Sequence, residues 1–202
     1  MHCSANADYC SLRARLFRWL FACSLALLTF EYALSAPIFG EVGFRVRNAD
    51  VRLERDVYLL DAKIVFAFSN EAIEAMENGV TLTVLVDVEV FRQRPLWDKK
   101  IFNRQLQFHV GVHALSKRYV IKNPDSGETD TYRSVEEMAA ALGLIQGIPL
   151  FAASDLEVAK EYVARVRARL DIEGLPSPLR PLAYVSQAWR LASDWYELPL
   201  VR

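Results

Sequence analysis

The chain contains 202 residues, with 24 Lys and Arg against 25 Asp and Glu, and a formal net charge of −1 at pH 7. This near-neutral balance gives no electrostatic reason to expect nucleic-acid binding. Cys3, Cys10 and Cys23 are the only cysteines, and all three lie within the first 35 residues. The rest of the chain therefore offers no disulfide, no thiolate metal site and no cysteine nucleophile.

Residues 1–35 have the three-part pattern of a secretory signal peptide. Basic residues ending at Arg18 precede an apolar run at 19–30, and Ala33 and Ser35 supply the small side chains of a cleavage site. The run is too short for a membrane-spanning helix, which needs about 20 apolar residues. We therefore expect an N-terminal signal helix that is removed after Ser35.

The leader predicts an exported protein, located in the periplasm or at the periplasmic face of the inner membrane. The alternative is an uncleaved anchor, in which residues 16–30 hold the protein at the inner membrane. In both cases we expect residues 36–202 to form a single domain of ordinary size. The sequence leaves the oligomeric state open.

Strand-like alternation dominates the body of the chain. It is clearest at 82–90, where Leu and Val point one way while Thr, Asp and Glu point the other. Two candidate strands fall within 44–68, and another covers 102–113. Turn residues at 123–127 join two short strands as a hairpin. The aromatic residues of 189–196 are expected to form the core and rim of a terminal strand.

Two short helices are expected in the body. One follows the N-cap Ser69 and ends at Gly79, and the other follows a capping box at Ser134 and ends at Gly143. Residues 155–172 are ambiguous, because their apolar positions fit a helical stripe and a strand alternation equally well. Helix propensity alone favours a helix there, since Ala, Arg and Glu dominate.

A set of segments spread over the body is similar to one bacterial family. The segments are 58–62, 68–90, 113–116 with Tyr119, 167–171, 175–180 and 189–196. Together they resemble an uncharacterised exported family of Gram-negative bacteria, catalogued as domain of unknown function 4390. The resemblance covers roughly residues 42–202. It implies no activity and gives no residue a catalytic role. The family is similar to proteins often encoded beside a membrane sensor kinase, which suggests a link to envelope signalling.

The same resemblance implies a strand rather than a helix at 161–172. With that strand, the body has about seven strands and two short helices. Many short strands separated by turns predict a mainly β fold, an antiparallel β-sandwich of immunoglobulin-like or similar type.

Two histidines follow the leader, His109 and His113. On the predicted strand they share a face but lie about 13 Å apart at about 3.3 Å per residue. One metal ion needs each ligand nitrogen within about 2.1 Å, so it cannot bind both. The sequence contains no nucleophile elbow, phosphate loop, dinucleotide fingerprint or zinc-protease motif. We predict no metal, no cofactor and no catalytic residue.

Two carboxylates, Asp87 and Glu89, stand on the outer face of the strand at 82–90. Paired carboxylates can perform acid–base catalysis when a pocket shifts their pKa values. A flat sheet face supplies no such pocket, so we expect them to pair across strands with Arg165, Arg167 or Arg169.

The segment 92–100 is the best functional candidate. It combines Arg92, Arg94, Trp97, Lys99 and Lys100 in a predicted loop. Trp and Arg are favoured anchors at protein interfaces, and loops on a rigid sandwich commonly carry recognition. The alternative is a solvated hairpin connection with Trp97 folded back onto the sandwich.

The sequence therefore favours a non-enzymatic module that binds an envelope protein. An exported hydrolase using Asp87, Glu89 or His109 is the second hypothesis, and a membrane-anchored structural module is the third.

Overall fold

The computed structural model describes residues 42–157 and 160–200, which belong to one compact unit. The predicted signal helix at 1–35 lies outside the described residues. The strands are β1 (Gly43–Glu54), β2 (Val57–Ala67), β3 (Leu82–Arg92), β4 (Lys99–Val112), β5 (Tyr119–Lys122), β6 (Thr129–Tyr132), β7 (Leu144–Ala152), β8 (Tyr162–Leu170) and β9 (Tyr196–Leu200). The helices are α1 (Asn70–Glu77), α2 (Val135–Leu142) and α3 (Arg180–Val185), with 3-10 turns at Ala153–Asp155 and Gln187–Trp189.

The described strands form two antiparallel sheets that share one core. One sheet has the order β1-β2-β7, and the other has the order β6-β5-β4-β3-β8-β9. This order resembles that of an immunoglobulin sandwich, with β1, β2 and β7 in the places of strands A, B and E and no described counterpart of strand D. Strands β3, β8 and β9 take the places of C, F and G, and β4, β5 and β6 extend that sheet. The predicted mainly β, antiparallel sandwich is confirmed.

Strand β3 supplies the centre of the core. Leu82, Val84, Val86, Val88 and Val90 are each fully buried, as their alternation predicts. Burying one such side chain stabilises the fold by about 1.5–3 kcal/mol. Because β4 and β8 pair with β3 on its two sides, every part of this strand is held by neighbours.

The ambiguous segment forms a strand, β8, as the family resemblance implies. Its buried side chains alternate from Tyr162 to Leu170, and its backbone pairs with β3 on one side and β9 on the other. Pairing on both edges outweighs the modest helix preference of Ala and Arg, which amounts to a few tenths of a kcal/mol per residue.

Two predicted helices are confirmed. Ser69 and Ser134 cap α1 and α2 by accepting backbone N–H bonds from Ala72 and Glu137. The helix α3 is an addition that the sequence analysis missed, although Pro181 in its first turn is a typical helix-start residue. Among the described residues, no helix has the length and apolar character that a membrane crossing requires.

Gly143 lets the end of α2 abut β2. The Ile64 N–H donates to the Gly143 carbonyl at 2.9 Å. A Cβ at position 143 would lie 2.0 Å from the Ile64 carbonyl oxygen, well inside van der Waals contact. Only glycine therefore allows this close approach, which fixes where β7 begins.

Candidate functional site

The candidate segment 92–100 forms the turn between β3 and β4. Arg92 is the last residue of β3, and Lys99 and Lys100 are the first residues of β4. Arg94 and Trp97 lie on the turn between them. The five candidate residues thus belong to one hairpin, which we describe as a base and a tip.

The base of the hairpin is held by polar contacts. Arg92 forms an ion pair with Glu157, and Lys100 forms one with Glu89. The Gln93 N–H donates to the Glu161 carbonyl at 3.0 Å. Arg92 and Lys100 are therefore engaged within the protein, and they position the turn.

The hairpin tip consists of Arg94, Leu96, Trp97 and Lys99, and it is exposed. Leu96 is 84% exposed and Trp97 is 71% exposed, so Trp97 does not fold back onto the sandwich. The Arg94 N–H donates to the Asp98 carboxylate at 3.2 Å, which closes the turn. An exposed Trp close to an Arg has the composition of an interface anchor, because both residue types are enriched where binding energy concentrates. Leu96 was not among the contact residues predicted from the sequence.

Below the tip, the outer face of the larger sheet carries a set of paired charges, which we call the charged ladder. Its members come from β3, β4 and β8. They are Asp87, Glu89, Lys100, Gln105, Arg165, Arg167 and Arg169. The cross-strand pairing of carboxylates with arginines is as predicted, but the carboxylates are far less exposed than an open sheet face suggests, at 8% each.

Asp87 is bound from both neighbouring strands. Arg169 donates from Nε at 2.8 Å and Arg167 from Nη2 at 3.2 Å, both to Oδ2. Gln105 of β4 donates to Oδ1 at 2.7 Å. Burial by itself raises the pKa of Asp87, but the bonds from Arg169, Gln105 and Arg167 together outweigh it and lower that pKa.

Glu89 has a matching arrangement one step along β3. Arg165 donates to its Oε2 from Nε at 3.0 Å and from Nη2 at 2.8 Å, and Lys100 bonds to Oε1. Burial again raises the pKa of Glu89, and the bonds from Lys100 and Arg165 lower it overall. A carboxylate held ionised in this way is unsuited to act as a general acid.

Aromatic rings cover the arginines of the ladder. The Arg165 guanidinium carbon lies 4.1 Å from the centre of the Phe91 ring and 4.5 Å from the Trp195 ring. Arg167 lies 4.5 Å from the same Trp195 ring. Trp195 therefore lies over the ladder as a rim residue, whereas Trp189 is buried on a 3-10 turn instead of the expected strand.

The two histidines lie apart and serve local contacts. His109 Nδ1 is 3.2 Å from the Thr83 hydroxyl, and His113 Nδ1 is 3.2 Å from the Ser116 hydroxyl. Within the described ranges, no group of three or more His, Cys, Asp or Glu side chains is placed to hold a metal ion. Asp87, Glu89 and His109, the residues of the hydrolase hypothesis, make their bonds to other side chains and not to each other.

Comparison with known proteins adds a family and no activity. A family model described as Domain of unknown function (DUF4390) matches residues 41–199. No curated protein and no solved structure matches the chain. The match spans nearly all the described residues, including the hairpin and the ladder.

Proposed function

This chain belongs to the family of domain of unknown function 4390, and we propose that it is an exported, non-enzymatic envelope protein that binds a protein partner through its hairpin tip. Export is supported by the leader pattern at 1–35. The same pattern supports a location in the periplasm or at the periplasmic face of the inner membrane. The family resemblance supports a link to envelope signalling.

The observation that carries the binding proposal is the exposure of Leu96 and Trp97. When a partner covers two large apolar side chains at the end of a hairpin, their apolar surface is removed from water, and this favours binding. Arg94 and Lys99 lie on either side, so the partner surface is expected to combine an apolar pocket with acidic groups.

The base of the hairpin supports the proposal because it limits the ordering that binding would require. Arg92 and Lys100 are tied to Glu157 and Glu89, and Asp98 closes the turn. A turn that is ordered before binding loses less conformational entropy when the partner arrives. In this proposal Arg92 and Lys100 position the turn, and the four tip residues contact the partner.

Site-specific photocrosslinking in the intact envelope tests the proposal. A photoreactive amino acid replaces Trp97 in one strain and Leu115 in another, because Leu115 is an even more exposed apolar residue on a different turn. We expect a discrete crosslinked protein from position 97 that disappears when Arg94→Ala and Leu96→Ala are added. Identical products from the two positions would contradict binding at the tip.

A further inference from the structure

The edge of β2 stays open over its last residues. On one side β2 pairs with β1 as far as Ala67. On the other side its pairing with β7 stops at Lys63. Among the described strands, none continues β7 alongside Ile64 to Ala67. Within the described part of the chain, this stretch of the sheet therefore has an unpaired backbone edge in an otherwise paired strand.

The direction of the free backbone groups follows from the alternation of a strand. Ile64 directs its N–H towards the β7 side, where Gly143 accepts it. Peptide groups two residues apart on a strand point the same way. The N–H and C=O of Phe66 therefore point away from β1, towards the open side.

A groove of about 600 Å³ lies along this edge. Its walls are mostly apolar and come from β2, α1, α2 and the start of β7. They include Ile73, Val135, Ala139, Ala140 and Leu144. The charged residues of the lining are Lys63 and Glu136, one of each sign, so the lining has no net charge. A charged group placed against the apolar walls would lose its hydration there.

The true edge strands of both sheets differ from this segment. β1 has a bulge after Val46, β7 has bulges and Pro149, β9 contains Pro199, and β6 has four residues. Bulges, prolines and short length are the usual means of preventing strand addition at an edge. The β2 segment from Ile64 to Ala67 has none of these features, and it is apolar throughout and β-branched or aromatic at three of its four positions.

We propose that the open edge of β2 binds an extended peptide segment of a partner protein, which joins the three-stranded sheet as an added strand. Free backbone donors and acceptors are satisfied best by another extended backbone. Four edge residues span about 13 Å at about 3.3 Å each, which matches a peptide core of about four residues. The neutral apolar lining requires that core to be uncharged.

Helix α2 narrows the choice of occupant to a single strand. The groove lies between the β2 edge and α2, and neighbouring strands are about 4.8 Å apart. A second folded copy of this chain would bring a whole sheet edge to β2, and α2 lines the groove on the side from which that sheet would approach. This site is separate from the hairpin tip and does not depend on the function proposed for the tip.

Selection from a phage-displayed library of random short peptides, followed by binding measurements on the exported protein, tests the inference. Ala140→Arg places a long charged side chain in the groove from an exposed helix position. Ala114→Arg makes the same change at an exposed turn residue outside the groove, and it is the matched control. Thermal unfolding of both variants verifies that they are folded.

The expected result is a set of peptides with an uncharged β-branched core. These peptides bind wild type and Ala114→Arg with equal affinity, and they bind Ala140→Arg at least about ten-fold more weakly. A loss of this size corresponds to one or two backbone hydrogen bonds and the apolar contacts that accompany them. N-methylation of alternate peptide amides weakens binding when the methylated set faces β2 and not when it faces α2. Binding also slows hydrogen exchange at the Phe66 amide.

Several outcomes would overturn the inference. They are a library with no enriched peptide, peptides that bind Ala140→Arg as well as wild type, and indifference to N-methylation in both sets. A wild-type dimer that Ala140→Arg converts to a monomer would also overturn it, because the groove would then hold a second copy.

Discussion

The charged ladder and the hairpin tip share strands β3 and β4, and the ladder continues onto β8. Their side chains are engaged very differently. In the ladder, Asp87 and Glu89 are almost fully covered, and each accepts hydrogen bonds from side chains of both neighbouring strands. At the tip, Leu96 and Trp97 stand in water. Arginine, lysine and tryptophan thus stabilise the sheet in one region and remain available to a partner in the other.

The difference teaches that composition alone does not identify a binding surface. Arg165 and Trp195 have the chemistry of interface anchors, but they satisfy each other within the protein. Trp97 has the same chemistry and keeps most of its surface free. Four predictions, from the largest expected effect to the smallest, can break or sharpen this contrast.

Replacing Asp87 should have the largest effect on stability. Asp87→Ala leaves Arg167 and Arg169 without their shared carboxylate, so we expect a loss of about 2 kcal/mol. The value is below that of fully buried pairs because both arginines are about one-third exposed. Urea unfolding measures it, with Asp130→Ala on the exposed edge strand β6 as the control. Equal losses in the two variants would mean that the ladder contributes nothing special.

Acid should weaken the ladder. A carboxyl group whose pKa is lowered on folding stabilises the protein above its ordinary pKa, here 3.8 for Asp87 and 4.5 for Glu89. That stability is lost as the pH falls through the lower folded pKa values. We therefore expect stability to decline as the pH falls below about 4.5. In an Asp87→Asn/Glu89→Gln variant, the decline measured by unfolding across that range should be smaller; an unchanged decline would assign it to other groups.

Removing the ring over the arginines should have a moderate effect. Trp195→Ala takes away the ring that lies over Arg165 and Arg167, together with the apolar area that the ring buries, so we expect a loss of about 1–2 kcal/mol. Trp195→Phe should restore about half of it, since a phenyl ring still covers a guanidinium. Thermal unfolding of the two variants makes the comparison, and equal midpoints for Ala and Phe would exclude a role for the ring.

The hairpin tip should be almost neutral for stability. A Leu96→Ser/Trp97→Ser variant removes little buried surface, so we expect a change within about 0.5 kcal/mol. The same variant should lose the crosslinked partner proposed above. A stability loss comparable to that of Asp87→Ala would show that the tip packs against the body in solution, and it would remove the contrast between the two regions.

Local sequence patterns were enough to predict most of the fold. The strand at Leu82 to Val90 and the helix starts at Ser69 and Ser134 could be predicted from local sequence, because each depends on residues that are neighbours in the chain. The strand β8 could not be decided in this way, since its choice depends on pairing with β3 and β9. The helix α3 was missed because it has six residues and no capping side chain.

The candidate sites show the same division. The sequence identified the cations and Trp97 of the hairpin, and it predicted that arginines pair with Asp87 and Glu89. It could not show that Arg92 and Lys100 form ion pairs within the protein. Glu157, the partner of Arg92, is distant in sequence, and Glu89, the partner of Lys100, lies on the neighbouring strand. The open edge at Phe66 has no sequence signal at all. It exists because β7 begins only after α2 has ended, so no residue of β7 reaches the position opposite Phe66.

The exposure of Trp97 also makes the protein its own fluorescent reporter. Of its four tryptophans, one falls in the predicted leader, Trp189 is buried and Trp195 lies against arginines. A soluble quencher such as iodide should therefore reach Trp97 first, and a partner that covers the tip should shield its emission. The binding of any candidate partner can therefore be followed by tryptophan fluorescence without attaching a dye.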